Sequence, residues 1–242
     1  MIKTVLIFSF VVLCVIFLFP FAFLTMIFYV LGFRRAMTMA IYRLAQGWAH
    51  VTIKLAEVDV AVTGRENIPK KGGVCFVSNH CSFFDIVVLL AYCGRPFGFV
   101  AKKELAWLPI FGLWIFMLGG LFIDRKSVNK AIKTINKGVK KIKKGGGMLI
   151  FPEGTRSKGK GLLPFHAGSL KLATQANAII VPVVIEGSYE VFEKTYRIKK
   201  CSTAISFCPS IDTANLKPEE KKQALSSRIY NIMNDRLTAG SK

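Results

Sequence analysis

Hydrophobic residues dominate the start of the chain, where nearly every position from 4 to 33 is apolar. One straight helix over this run would measure about 45 Å, longer than the hydrocarbon core of about 30 Å in a bilayer. Pro20 divides the run into pieces of about 16 and 13 residues, which predicts an N-terminal two-helix membrane motif. Lys3 precedes the run, and Arg34 and Arg35 follow it. A hairpin in one leaflet with both ends cytoplasmic and a tilted single span both fit these flanks.

The pattern then changes to one typical of an α/β domain. Residues 36 to 55 repeat apolar side chains at steps of three and four, which predicts an amphipathic helix. We therefore divide the chain into membrane-associated helices, residues 1–55, and an α/β domain, residues 56–242. Apolar runs that suit strands alternate there with helical patterns, which predicts a mostly parallel central sheet. Predicted strands lie within 57–64, 74–77, 97–105, 119–125, 148–151, 178–185 and 202–207, and predicted helices within 86–92, 126–144, 167–175 and 218–237.

Two stretches of the domain allow more than one interpretation. Residues 106 to 120 are apolar and aromatic without a clean helical period, which fits core packing, the wall of an acyl-chain groove or a second contact with lipid. Residues 126 to 144 contain eight lysines and no acidic residue, above a predicted buried stripe of Ala131, Ile135, Val139 and Ile142. This helix presents either a solvated face or a surface that attracts anionic headgroups.

Composition narrows the class of partner. The chain carries 34 Lys and Arg against 14 Asp and Glu, a net charge of +20, yet it is 52% hydrophobic with a mean hydropathy of +0.42. Basic and apolar character together favour an anionic membrane surface over nucleic acid, for which the sequence shows no motif. The six cysteines form no C-x-x-C pair, and several lie in apolar runs, which predicts reduced thiols in a compartment facing the cytosol.

The most reactive pair in the sequence lies in SNHCSFFD, between the strand VCFV and an apolar helix. Such a turn at the carboxyl end of a parallel strand is where open α/β sheets bind ligands. His80 can remove a proton near neutral pH, and Asp85 can hold its other ring nitrogen. Ser82 and Asp85 also fit a capping box, so the carboxylate has a competing structural use. The two roles are compatible.

Other sequence motifs fail on inspection. Residues 154 to 160 fit the start of a P-loop, but Gly161 stands where a magnesium-binding Ser or Thr is required. The sequence contains no G-x-S-x-G nucleophile elbow. It also lacks H-E-x-x-H and paired cysteines, so we expect no metal site. What remains is base chemistry without an obvious protein nucleophile.

Four blocks in order, NHCSFFD, GGLFIDR, FPEGTR and VPVVI, resemble those of the glycerolipid acyltransferases, most closely the bacterial 1-acylglycerol-3-phosphate acyltransferases. The resemblance covers roughly residues 64 to 187 and includes an A-K-x-E-L element at 101 to 105. It implies that His80 is the general base and Asp85 its partner. It departs at Cys81, where glutamine is frequent, and at His166, where a basic residue is usual. The implied acceptor-binding residues are Lys103, Arg125, Glu153, Gly154, Thr155 and Arg156.

The resemblance also implies an activity. The expected reaction moves a fatty acyl group from an acyl thioester to the sn-2 hydroxyl of lysophosphatidic acid, giving phosphatidic acid. The expected donor is acyl-coenzyme A or acyl carrier protein, with no cofactor, and membrane phospholipids are the expected partners. The expected location is the cytoplasmic (inner) membrane, with the active site facing the cytoplasm. The alternatives are another acceptor, such as glycerol 3-phosphate or another lysophospholipid, and a non-catalytic protein that binds anionic membranes.

Overall fold

Eight strands form one mixed sheet in the computed structural model, which describes residues 1–108 and 110–240. The spatial order is β1-β7-β6-β2-β5-β3-β4, and β8 also pairs with β6. All neighbouring pairs are parallel except β6 with β7 and β6 with β8, which confirms the mostly parallel sheet. The strands are β1 Val58–Thr63, β2 Val74–Ser78, β3 Gly98–Lys102, β4 Leu121–Ile123, β5 Gly147–Ile150, β6 Ile179–Glu186, β7 Cys201–Phe207 and β8 Ile211–Asp212.

Helices cover both faces of this sheet. Ala49 and Leu89, from two helices on one face, pack in a core with Phe76 of β2. Ile142 and Leu172, on the other face, pack with residues that alternate with Phe76 along the same strand. Every residue of β2 is therefore buried, which explains its continuous apolar run. The helices are α1 Ile2–Phe17, α2 Phe19–Val30, α3 Arg34–Ala56, α4 Phe84–Tyr92, α5 Phe111–Met117, α6 Val128–Lys143, α7 Lys171–Ala176, α8 Ser188–Val191 and α9 Leu225–Gly240.

The helix predicted at 126–144 is present as α6 but begins two residues later. Ser127 caps it, with its side-chain oxygen accepting the Lys130 N–H at 3.5 Å. Of the four residues in the predicted apolar stripe, Val139 and Ile142 are buried, and Ala131 and Ile135 are partly buried. The exposed lysines cover the outer face.

Two other segments differ from the prediction. The helix expected at 167–175 covers only 171–176, because Gly168 adopts a φ of +78° that breaks the helical path before it. The stretch 106–120, without a helical period, contains the end of a 3₁₀-helix, Lys103–Trp107, and the short helix α5. A 3₁₀-helix has about 3.0 residues per turn and an α-helix about 3.6, so the two together give no common period. Pro109 of this stretch lies outside the described residues.

The two N-terminal helices are confirmed, and their arrangement corrects one of the alternatives. Leu18, between α1 and α2, keeps right-handed helical angles, so the chain continues onward past Pro20. Lys3 forms an ion pair of 3.0 Å with Glu57 after the end of α3, while Met26 packs with Ile41 near its start. The two helices therefore follow one another along α3, and the chain reverses after α2. A hairpin with its turn at Pro20 is wrong.

This N-terminal pair is strongly apolar. Residues Ile2–Val30 are long and hydrophobic enough to cross a membrane, with a mean hydropathy of 3.0 and only 6% of the most apolar window buried. A core helix or a signal sequence would also meet this length and composition test, although a core helix would be mostly buried. The side chains of Arg34 and Arg35, which follow this run in the sequence, lie outside the described structure. The division at residue 55 and the depth of insertion stay predictions.

Gly98 provides a test of packing at β3. A Cβ built on Gly98 would lie 2.1 Å from the carbonyl oxygen of Gly119, which is backbone and cannot rotate away. We expect Gly98→Ala to lower the free energy of unfolding by about 1–3 kcal/mol. Gly47→Ala in α3 is the matched control, because nothing lies within 4 Å of the added Cβ, and it should be neutral or stabilising. Thermal unfolding in detergent measures the stability of both variants. If Gly98→Ala were as stable as Gly47→Ala, the close contact at Gly98 would be contradicted.

Candidate active site

The predicted site residues gather at one edge of the sheet. His80 follows β2, the FPEGTR loop follows β5, and Ser188 follows β6, and these three strands are neighbours. Lys103 follows β3, and Arg125 follows β4, on the adjoining side. Because the five strands are parallel, their carboxyl ends lie at the same edge. The sheet therefore brings together residues that are far apart in the sequence.

Asp85 is fully buried, and four groups bind its carboxylate. Oδ2 lies 2.8 Å from Nδ1 of His80 and accepts the backbone N–H groups of Cys81 at 2.7 Å and Ser82 at 3.0 Å. Oδ1 accepts the hydroxyl of Ser188 at 2.5 Å. Four donors compensate for burying the charge, and they fix the direction of the carboxylate.

The helix cap and the histidine partner are the same carboxylate. Asp85 accepts the Ser82 N–H, and the Ser82 hydroxyl in turn accepts the Phe84 N–H at 2.9 Å at the start of α4. This reciprocal arrangement is that of a capping box, displaced by one residue on the serine side. The compatibility expected from the sequence is present, because Oδ2 serves His80 and the helix start together.

The ring of His80 is oriented from two sides. The carboxylate of Asp85 can only accept a hydrogen bond, so Nδ1 of His80 carries the proton that it donates to Asp85. In the neutral ring the lone pair is then on Nε2. The ring stacks on Phe151, which directly follows β5, with centroids 4.0 Å apart and planes 15° apart. Only 18% of the His80 side chain is exposed. Nε2 is thus the ring nitrogen available to accept a proton from a bound molecule.

Glu153 of the FPEGTR loop supports the backbone of His80. Its carboxylate is buried and accepts the N–H of His80 at 2.7 Å and the N–H of Leu163 at 2.9 Å. Burial raises the pKa of Glu153. The N–H of Ser157 donates to the His80 carbonyl oxygen at 2.7 Å, so the loop holds His80 at both ends of the residue. Contact between Glu153 and an acceptor stays a prediction.

Arg156 lies in an ion pair. Its Nη1 is 3.0 Å from Oε1 of Glu193, and its guanidinium stacks over the ring of Phe83 with Cζ 3.6 Å from the centroid. Glu193 also accepts the Ser82 hydroxyl at 2.5 Å and the Phe83 N–H at 2.8 Å. The arginine is therefore fixed over Phe83, directly before α4 and three residues after His80 in the sequence.

The other predicted cations also lie at this edge. Arg125 is exposed and donates from Nη1 to the carbonyl oxygen of Gly154. Lys103 pairs with Asp124 at 2.9 Å, and this hydrogen bond raises the pKa of Lys103 and lowers that of Asp124. Thr155, between Gly154 and Arg156, is exposed. Three cationic side chains thus surround the loops that carry His80.

Gly154 is required at its position by two features. Its φ is +67°, and a Cβ built on it would lie 2.6 Å from Cδ2 of His166. The histidine that departs from the family pattern thus packs directly against the FPEGTR loop.

A family model described as Acyltransferase matches residues 59–186. This range runs from β1 to the end of β6 and includes every predicted site residue. The chain belongs to the acyltransferase family.

Relatives and a solved structure agree with this membership. The 1-acyl-sn-glycerol-3-phosphate acyltransferase of Borreliella burgdorferi is 30% identical over 177 residues, which is 73% of this chain and 71% of the relative. The enzyme of that name from Escherichia coli K12 is 31% identical, covering 69% and 67%. The alpha form from Ovis aries is 32% identical, covering 73% and 62%. The crystal structure of the 1-acyl-sn-glycerophosphate (LPA) acyltransferase from Thermotoga maritima has a TM-score of 0.85 at 23% identity, covering 99% and 95%, and shows the same fold.

The acyltransferase site contains residues that the sequence analysis missed. Ser188 and Phe151 each follow a strand whose end lies at the catalytic edge, so their positions carried a usable signal. Glu193 carried none, because nothing local relates it to Ser82, 111 residues earlier. Ser157 acts through its backbone, which a pattern of side chains does not report.

Cys81, the residue after His80, is poorly suited to act as a nucleophile. Burial, together with the nearby charge of Asp85, raises the pKa of its thiol to about 11. The group is therefore protonated near neutral pH. Among the described residues no cluster of three or more His, Cys, Asp or Glu is arranged to hold a metal ion.

Glu153 generates a prediction that separates support from substrate binding. Gln at this position keeps one carbonyl acceptor but presents an amide to the second backbone N–H, so one buried donor loses its partner. We expect Glu153→Gln to lower the free energy of unfolding by about 1–3 kcal/mol. Glu66→Gln, at an exposed position after β1, is the control and should change nothing. Chemical denaturation measures both; normal stability with weakened acceptor binding would refute the supporting role.

Proposed function

We propose that this acyltransferase transfers a fatty acyl group from an acyl thioester to the sn-2 hydroxyl of lysophosphatidic acid and releases phosphatidic acid. The observation that carries the proposal is the His80–Asp85 pair, set among three cations at the carboxyl edge of the sheet. The named relatives catalyse acylation of 1-acylglycerol 3-phosphate according to their names, and this chain shares their family.

The reaction needs one base and no covalent enzyme intermediate. Nε2 of His80 accepts the proton of the acceptor hydroxyl as its oxygen attacks the thioester carbonyl carbon. The tetrahedral intermediate collapses with formation of the ester and cleavage of the C–S bond. The departing thiolate takes the proton back from the imidazolium and leaves as a thiol. The charge of Asp85 stabilises the imidazolium in between and holds the ring in its tautomer.

The cations at the edge suit the phosphate of the acceptor. Arg125 and Lys103 lie at neighbouring strand ends, and Arg156 lies on the loop that supports His80. Arginine and phosphate form charge-assisted, often bidentate hydrogen bonds. In this assignment Gly154 and Thr155 contact the same end of the acceptor through the exposed loop. Binding phosphate there would orient the free hydroxyl toward Nε2.

Membrane and donor complete the proposal. The apolar α1 and α2 anchor the protein to the cytoplasmic membrane, with the active site facing the cytoplasm, where membrane phospholipids surround it. The donor is acyl-coenzyme A or an acyl carrier protein. Both are anionic, and the exposed lysines of α6 would attract either.

One assay tests acceptor and donor together. Purified protein in detergent micelles is incubated with radiolabelled lysophosphatidic acid and each donor in turn, and the lipids are then separated. Labelled phosphatidic acid supports the proposal, and the productive donor identifies the thioester used. Parallel reactions with glycerol 3-phosphate and with lysophosphatidylcholine test the acceptor. Turnover of only one of these would replace the proposed acceptor, and no transfer in any reaction would reject the activity.

The catalytic pair gives the first functional prediction. We expect His80→Ala to lower kcat by about 10²- to 10⁴-fold or more, because the variant lacks the proposed general base. Asp85→Asn keeps a helix cap but loses the charge, so we expect a folded protein with kcat lowered by up to about 10⁴-fold. Circular dichroism checks the fold of both. Near-normal turnover by the folded His80→Ala protein would end this mechanism.

The arginines give the second. Removing one charge-assisted hydrogen bond to phosphate costs about 1.5–3 kcal/mol, so Arg125→Ala and Arg156→Ala should raise the acceptor KM by about 10- to 100-fold. The donor KM should change little. Arg197→Ala, outside the predicted phosphate site, is the control for total charge. Equal effects on both substrates would count against the assignment.

A further inference from the structure

A group of exposed apolar side chains lies beside the active site, on the 3₁₀-helix after β3 and on α5. We call it the aromatic patch: Trp107, Leu108, Phe111 and Phe116, which are 86%, 48%, 49% and 53% exposed. Single exposed apolar residues are common on soluble proteins, but neighbouring large ones mark a surface that another phase or molecule covers. The patch is therefore a surface that would be stabilised by contact with something apolar.

The patch borders the catalytic edge directly. The 3₁₀-helix that ends at Trp107 begins at Lys103, one of the predicted phosphate-binding residues. Phe83, which is 65% exposed and lies under Arg156, adds another apolar side chain at the same edge. Anything that covers the patch thus lies next to the place where the acceptor is expected to bind.

The patch is also continuous with the apolar N-terminal helices. Met26 of α2 and Leu113 and Trp114 of α5 all pack against the buried pair Ile41 and Met117. The exposed side chains of α2 and α5 therefore lie on two helices that meet at Ile41 and Met117. The helices that are apolar enough to cross a membrane are therefore packed, through this cluster, against α5, which carries two residues of the patch.

We propose that the aromatic patch is a second contact with the phospholipid bilayer, at the boundary between headgroups and acyl chains. This inference rests on the proposed function, in which α1 and α2 enter the same membrane. Tryptophan suits that boundary because its ring is apolar and its N–H is polar. Lys102, with 62% of its side chain exposed, lies just before the 3₁₀-helix; its Nζ is 3.9 Å from Oε2 of the exposed Glu104, a loose surface pair that leaves the ammonium accessible to an anionic headgroup.

A second membrane contact would fix the orientation of the domain relative to the bilayer. A protein held only by α1 and α2 can tilt about that anchor, whereas a second contact on α5 fixes the catalytic edge against the leaflet. An acceptor embedded in that leaflet then reaches His80 by lateral movement, with its acyl chain still in hydrocarbon. The patch acts by positioning the site, and takes no part in the chemical step.

Tryptophan fluorescence tests the contact directly. The chain has three tryptophans, so Trp48→Phe with Trp114→Phe leaves Trp107 as the sole emitter in the full-length protein. The protein is reconstituted in vesicles of phosphatidylethanolamine and phosphatidylglycerol that contain lipids brominated either near the headgroup or deep in the chain. We expect blue-shifted Trp107 emission that the shallow bromines quench more strongly. Emission typical of water without quenching by either lipid overturns the proposal.

An activity comparison covers the case in which that variant fails to fold. Trp107→Glu should lower turnover of a long-chain acceptor in vesicles by about tenfold or more, because burying one large apolar side chain is worth at least that factor. Turnover of a short-chain, water-soluble acceptor should be unchanged. Ile132→Gln, at an exposed apolar position on α6 (52%), is the control for loss of an exposed apolar side chain; it adds no negative charge beside the lysines of α6 and should affect neither.

The remaining outcomes are also decisive. Loss with both acceptors assigns Trp107 to the fold or to the reaction itself, and no loss with either removes the membrane role. If Trp107→Glu dissociates a dimer in detergent, a second copy of the chain covers the patch, and the proposal is wrong. Should the unsubstituted protein acylate neither acceptor, the proposed function fails, while the quenching measurement still decides whether the patch contacts lipid.

Discussion

The buried carboxylate of Asp85 is the group on which the catalytic edge depends. A charge with no solvent access is stable only when donors surround it, and here they come from the turn after β2, from His80 and from Ser188 after β6. The hydrogen bonds to this carboxylate therefore hold together the turn after β2, the first turn of α4 and the segment after β6. The oxygen that binds the backbone N–H groups before α4 also binds Nδ1 of His80, so one carboxylate both supports the start of the helix and orients the imidazole.

The FPEGTR loop provides the corresponding support on the other side of His80. Its first residue, Phe151, stacks on the ring, and Glu153 and Ser157 bind the backbone of the histidine. The FPEGTR motif, which the family resemblance assigns to acceptor binding, therefore also supports the ring and the backbone of His80. This double use explains why a loop of polar residues is rigid enough to place a cation, Arg156, within reach of the site.

Charge and apolar surface are segregated in a way that suits an interfacial enzyme. Most of the exposed large apolar side chains lie on α1, α2 and the segment around α5, whereas α6, on the opposite face of the sheet, exposes mainly lysines with only Val128 and Ile132 as large apolar side chains among them. Hydrocarbon and anionic water-soluble donors would then approach from different directions. The parallel sheet makes this possible, since it collects the reacting residues at one edge and leaves its two faces to separate sets of helices.

The sequence by itself determined the α/β alternation, the buried β2, the stripe of α6, the two apolar N-terminal helices and the pairing of His80 with Asp85. Each depends on residues close together in the chain, or on a family pattern tied to fixed spacing. The tertiary structure alone decided that the chain reverses after α2, that Glu193 holds Arg156, and that Trp107 is left exposed beside Lys103. Glu193 lies 37 positions from Arg156 and 111 from Ser82, and no periodicity encodes which distant side chain completes such an ion pair or which apolar side chain is left uncovered.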